Sequence, residues 1–232
     1  MAQMIPAYID TKTRSQAEQK VFRALKYLEG TEEWVVLHSV ALAETKERAQ
    51  GEIDFIVMIP DRGVFVLEVK GGEISYEEGR WFATEHRNRI QDPFAQANRN
   101  LHNFIEFIMV KSKREDNFSN IRMGYAVVFP DITFDGISVL PDVAEEQVLD
   151  AVGLFPENLY AYFERLASFY QTRTRDNLNL YPPNLQTVQK LRKFLRPKVD
   201  WKLSLSTEIQ GFDYEIIQMT NRQSFILESL ME

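Results

Sequence analysis

The sequence predicts a mixed α/β fold around a central sheet, and three observations predict it. Two apolar strands, IDFIVMI (53–59) and VFVLEVK (64–70), follow one another across a short turn. Amphipathic helical stretches flank them, at residues 15–29 and from about Phe94 to Val110. A further apolar strand, MGYAVVFPD (123–131), and more helical sequence come after. Helix, strands, helix, strand, helix is the order in which a sheet is covered on both faces.

The first helix opens at Ser15, a capping residue with Glu18 three positions on, the pattern of a capping box. Val21, Leu25 and Leu28 recur at helical spacing with Phe22 beside them, and Gly30 closes the helix. WVVLHSVAL (34–42) is β-branched and apolar and reads as a strand. The strands 53–59 and 64–70 are apolar up to their charged ends, and Pro60-Asp61-Arg62-Gly63 is the turn between them. Residues 73–82 read as a hairpin ending in Arg80-Trp81, after which the polar stretch EHRNRIQDP leads to the second helix. Asp92 can cap that helix and Pro93 suits its first position. ISVLP (137–141) reads as a short strand, EEQVLDAV (145–152) as a short helix, and two further helices are expected near 157–170 and 184–195.

Composition narrows the chemistry. The chain has 232 residues, 44% of them hydrophobic, enough for one good core with a small appendage. Having no cysteine, it forms neither disulfides nor thiolate metal sites. Its histidines, His38, His86 and His102, lack the His-x-x-x-His spacing of a zinc helix. A metal would sit among carboxylates, which suits Mg²⁺ or Mn²⁺. A net charge of −7 argues against a passive DNA-coating protein. It leaves room for an enzyme that meets nucleic acid through a local basic surface or a bound ion. With no apolar run of membrane-spanning length and no secretory signal at the start, the expectation is a soluble cytoplasmic protein with no membrane partner.

Glu68 and Lys70 share a face of their strand, since strand side chains alternate. Two opposite charges at the end of an apolar strand cost several kcal/mol per ion, roughly, if buried unpaired. A cation, a phosphate or mutual pairing at a cleft relieves that cost. Asp54 folds back toward them across the hairpin. A symmetric four-residue turn would set it opposite Val69, on the wrong face; a shift of one residue sets it opposite Glu68, and that irregularity is expected. Two carboxylates on one face can clamp a divalent ion, and Lys70 could hold a water or stabilise a pentavalent phosphate. Spacing alone is equally met by a rim salt bridge between Lys70 and a carboxylate.

Gln50-Gly51-Glu52-Ile53-Asp54-Phe55, Val66-Leu67-Glu68-Val69-Lys70-Gly71-Gly72, Trp81 and Pro93-Phe94-Ala95-Gln96-Ala97 together resemble the nuclease-related domain, often called NERD, over about residues 14–130. That family is placed in the PD-(D/E)xK superfamily, so the resemblance implies a restriction-endonuclease-like core: a central mixed β-sheet flanked by helices, here with additional C-terminal helices. It implies Asp54 and Glu68 as metal ligands, joined by the Val69 carbonyl, and Lys70 as the catalytic lysine. Glu18 would support a second metal or orient the site, and Gln96 would approach it from the second helix. Each has a plainer reading: Glu18 as a capping residue, Gln96 as a partner of nearby backbone groups, Glu52 as a solvated carboxylate. Gly51 suits a special backbone geometry, and Gly71-Gly72 suit the same or the close approach of a phosphate. Trp81 and Phe94 read as core residues.

Arg80, His86, Arg87, Arg89 and Arg99 form a basic stretch interleaved with Trp81 and Phe82. Such a stretch either tracks a phosphate backbone or is a solvated surface. The basic amphipathic stretch 185–198 reads as a packed helix. RPKVDWKLSLS (196–206) reads as a linker. MTNRQSFILESLME (219–232) resembles the glutamine motif that opens UvrD-like superfamily 1 helicase domains, with Thr220 and Gln223 as its adenine-contacting pair. The phosphate-binding loop should follow, and the chain stops before it. The expected organisation is a nuclease-related domain over 1–195, the linker, and the start of a truncated helicase-like segment over 207–232. The leading function is metal-dependent hydrolysis of DNA beside a helicase domain in cis or trans. The alternatives are a non-catalytic nucleic-acid-binding or targeting module of a helicase, and a protein-interaction scaffold with a relict site.

Overall fold

In chain order the elements of the computed structural model are β1 (Gln3–Ile5), α1 (Gln16–Tyr27), β2 (Val35–Ala41), β3 (Glu52–Ile59), β4 (Gly63–Val69), β5 (Ile74–Glu77), β6 (Arg80–Ala83), β7 (Asn88–Ile90), α2 (Pro93–Lys111), β8 (Met123–Phe129), β9 (Val148–Asp150), α3 (Pro156–Thr172) and α4 (Leu185–Leu195). The structure describes residues 1–9, 15–42, 52–83, 88–113, 118–134, 140, 142–173 and 180–197. The chain divides after Leu195, and the fold is that of Met1–Leu195.

Six strands form the central sheet in the order β1-β2-β3-β4-β8-β9. β2, β3 and β4 are antiparallel neighbours, whereas β1 joins β2, and β8 and β9 extend β4, in parallel. The sheet is mixed and flanked by helices, as the restriction-endonuclease-like expectation requires. Every residue of β4 is buried, because alternate side chains meet different helices. Phe65, Leu67 and Val69 join Phe55 and Val57 against α1 and α3. Val64 and Val66 join Ile56 and Met58 against Leu101, Phe104 and Ile108 of α2 and Val188 and Leu191 of α4.

The helices start where their capping residues stand. Ser15 Oγ accepts from the Glu18 amide at 3.2 Å. Asp92 Oδ1 accepts from Phe94 and Ala95 amides at 2.8 and 3.1 Å, with Pro93 in the first turn.

The β3–β4 register follows from its turn. Pro60, Asp61 and Arg62 form a three-residue loop and Gly63 already pairs with Ile59. Asp61 adopts φ 59° and the Arg62 amide donates to the Ile59 carbonyl at 3.2 Å, the positive third-position φ of a type II turn after Pro60. Gly63 is therefore strand, not turn. A Cβ there would lie 2.8 Å from the Phe65 ring. The pairs Ile59↔Gly63 through Phe55↔Leu67, continued one step, set Asp54 opposite Glu68.

Three elements differ from the sequence expectation. Residues 145–152 are not a helix: a 3₁₀ turn over Glu145–Gln147 runs into β9. β8 offers an open edge, and Val148 and Leu149 bury themselves along it. The 73–82 hairpin is part of a separate three-stranded sheet, β5-β6-β7; Ile90 pairs with Trp81 and completes its apolar face. The N-terminal β1 carried too little apolar sequence to be read, though Met4 is buried. Of the 137–141 segment only Leu140 is described, and it is buried.

β9 reaches only the last three residues of β8. Upstream, Tyr170 of α3 takes its place: its hydroxyl donates to the Tyr125 carbonyl (2.8 Å) and accepts from the Tyr125 amide (3.0 Å) and Gln147 Nε2 (3.0 Å). Gly124 makes room, since a Cβ there would lie 2.3 Å from that ring. Tyr170→Phe strands both backbone groups, and urea denaturation is expected to show a loss of about 2–3 kcal/mol. A loss under about 0.5 kcal/mol would contradict this role.

Candidate active site

Charged residues gather where β4 runs out. Asp54 and Glu68 are on the α2 side of the sheet by the parity of their strands. The Lys70 amide donates to the Val128 carbonyl on the β8 side at 2.9 Å. Val69, one residue earlier, therefore turns its peptide groups toward β3. There Asp54 Oδ2 accepts from the Val69 amide at 2.7 Å. The same alternation aims the Val69 carbonyl to the side of the Asp54 carboxylate.

Glu68 is 2% exposed and held at both oxygens. Lys70 Nζ is 2.7 Å from Oε1, and Asn100 Nδ2 donates to Oε2 at 3.1 Å. Arg99, exposed on α2, attracts the same carboxylate. Glu18, half-buried on the first turn of α1, bears on Asp54 from the other side of the sheet.

Burial and the Glu68 charge push the Asp54 carboxyl up to about 7, with Glu18 adding to the repulsion against the Val69 hydrogen bond and Lys70. Burial also raises Glu68, opposed by Lys70, Arg99 and Asn100. Two carboxylates that resist ionising side by side form a site that gains from a positive charge.

The donor set fits a hard divalent ion. Among the described residues no group of three or more His, Cys, Asp or Glu side chains is arranged to hold a metal. Two carboxylates and a peptide oxygen nevertheless match Mg²⁺, which keeps several waters and takes one or two protein carboxylates.

The chain beyond Lys70 is fixed to the same place. A Cβ on Gly71 would lie 2.6 Å from Ala17 Cβ, so Gly71 lets this turn pass under α1. Gly72, at φ 77°, donates its amide to Asp131 Oδ2 at 2.7 Å, and Asp131 Oδ1 pairs with Lys20 of α1.

The structure thus brings together Asp54, Glu68, Val69 and Lys70, with Glu18 and Arg99 close enough to act on their charge. Gln96 is half-buried one helical turn before Asn100 and shares its face of α2. Arg80 and Arg89 are elsewhere, exposed on β6 and β7. Glu52 is exposed. Arg87, His86, Gln50 and Gly51 lie outside the described residues, as do Thr220 and Gln223. Asn100, Asp131 and Lys20 were not anticipated. Asn100 carried a signal: it is a polar residue within the buried stripe Phe94, Ala97, Leu101, Phe104, Ile108.

Among the described residues no helix is long and apolar enough to cross a membrane. No curated protein and no solved structure matches the chain. A family model described as the nuclease-related domain, NERD, matches residues 13–130. That match takes in α1, β3, β4 and α2, which carry Glu18, Asp54, Glu68 and Asn100, and Lys70 directly after β4. The chain belongs to the nuclease-related domain family.

Proposed function

We propose that this protein is a divalent-metal-dependent nuclease that hydrolyses DNA phosphodiester bonds, working in DNA processing or repair beside a helicase. The observation that supports this reading is the convergence of a half-buried carboxylate, Asp54, and a buried one, Glu68, with Lys70 on the latter. Mg²⁺ or Mn²⁺ held by Asp54, Glu68 and the Val69 carbonyl would polarise a phosphate oxygen and lower the pKa of a bound water.

The remaining roles belong to the chain. Lys70 is 24% exposed along its side chain, so its ammonium can leave Glu68 for the attacking water or the charge on the phosphate. Asn100 and Lys70 fix the plane of the Glu68 carboxylate. Gln96 approaches from the same face of α2, and Glu18 orients the site or supports a second ion. Arg99 draws the phosphate in.

The test is purified protein with Mn²⁺ on single-stranded, duplex and branched DNA. Cleavage that Lys70→Ala removes supports the reading; no cleavage of any of the three sinks it. Asn100→Ala is expected to weaken Mn²⁺ binding about 10–100-fold by titration calorimetry, the usual effect of removing a group that orients a ligand. Unchanged affinity would show that Asn100 serves only packing.

A helicase partner is supported by residues 219–232, where Thr220 and Gln223 resemble the adenine-contacting pair of UvrD-like helicases. One observation favours a non-catalytic binding module instead: the closed Lys70–Glu68 pair is also what an inert rim salt bridge looks like. Tight DNA binding without any divalent-ion binding would select that module.

A further inference from the structure

The three-stranded sheet projects two different faces. Tyr76, Trp81 and Ile90 stand opposite one another across its strands, and Trp81 is buried against Phe94 and Phe129. On the opposite face the register aligns Ser75, Phe82 and Arg89. Arg80 is two residues from Phe82 on β6 and so shares this outer face, where Glu77 faces it from β5.

Phe82 is half-buried yet belongs to none of the three core clusters. Arg80 and Arg89 are exposed, and among the described residues no ion pair engages either. In a chain of net charge −7, these two exposed guanidinium groups give the face a local positive charge beside an aromatic ring. Both ends of the small sheet lead to the candidate active site. β5 follows Lys70 after Gly71, Gly72 and Glu73, and β7 passes through Gln91 and Asp92 into α2, which carries Asn100 to Glu68.

Resting on the nuclease reading above, we propose that this outer face seats single-stranded nucleic acid, with a base stacked on Phe82 and phosphates on Arg80 and Arg89. A ring face flanked by cations recognises unstacked bases without regard to sequence. A duplex keeps its bases stacked on one another and offers the ring nothing. Glu77 tempers Arg80, so Arg89, directly across from Phe82, carries more of the phosphate contact.

The test is fluorescence anisotropy in EDTA at low salt with a labelled oligothymidylate and a duplex of equal length. Wild type is expected to favour the single strand. Phe82→Ala is expected to lose about 5–150-fold on the single strand, the worth of one stacked base, with duplex binding unchanged and Phe82→Trp restoring affinity. Arg80→Ala with Arg89→Ala is expected to flatten the log–log salt dependence by about 1.4, at roughly 0.7 per phosphate. Single-strand affinity unmoved by Phe82→Ala, a preference for duplex, or no strand binding at all would overturn the seat. Mn²⁺-dependent hydrolysis of bis(p-nitrophenyl) phosphate, which needs no strand, is measured alongside. If wild type and Phe82→Ala hydrolyse it equally while their strand affinities do not differ, the seat fails and the nuclease reading stands.

Discussion

Glu68→Gln is expected to lower Mn²⁺-dependent cleavage by at least about a thousandfold, roughly 4 kcal/mol of transition-state stabilisation. The substitution keeps the shape and the Asn100 contact but removes the charge that a cation and Lys70 both need. Lys70→Ala is expected to cost about 10²–10³-fold, the range for losing one preorganised donor at a developing charge. Neither change should unfold the protein, because the packing of β4 rests on Phe65, Leu67 and Val69 on one face and Val64 and Val66 on the other. Activity falling together with the melting temperature would point to damage of the sheet.

The second large effect is on stability. Without metal, Asp54 holds its proton up to about pH 7 in the folded protein, against an ordinary value of 3.8. The unfolded chain therefore loses that proton first as pH rises. Its contribution to stability is full below about pH 4 and is lost as pH climbs through 7, with Glu68 acting in the same direction. In EDTA, denaturation at pH 8 should need less urea than at pH 5, and Asp54→Asn should flatten that difference. A divalent ion restores what ionisation removes. At 100 times its dissociation constant it adds about 2.7 kcal/mol, or roughly 5–10 °C for a protein of this size. The rise should be large at pH 8, small at pH 5 and absent in Asp54→Asn. Thermal shifts independent of pH would contradict the assignment of Asp54 to the ion.

Much of this was legible in the sequence because apolar patterning and motif spacing are local. The strands 53–59 and 64–70 announced themselves as buried, and the charges at their ends as anomalies. The register was harder. Asp54 faces Glu68 only because Gly63 pairs with Ile59, and that depends on the positive φ of Asp61, which no spacing rule fixes. β9 was misread because three residues become a strand only where a neighbour leaves an edge open. Asn100 was hidden for a similar reason: its partner Glu68 is 32 residues away, and only the packing of α2 on the sheet brings them together. The latch of Lys20 and Asp131 on Gly72 joins α1, the end of β8 and the turn after β4, three segments that become neighbours only in the folded molecule.

The most direct test is crystallographic. Crystals grown with Mn²⁺ should give an anomalous peak within about 2.0–2.6 Å of oxygens from Asp54, Glu68 and the Val69 carbonyl, with Lys70 Nζ turned from Glu68 toward the ion's open side. Full-strength Mn²⁺ data with no peak between those oxygens, and the Lys70–Glu68 pair unchanged, would contradict the metal site and the nuclease reading built on it.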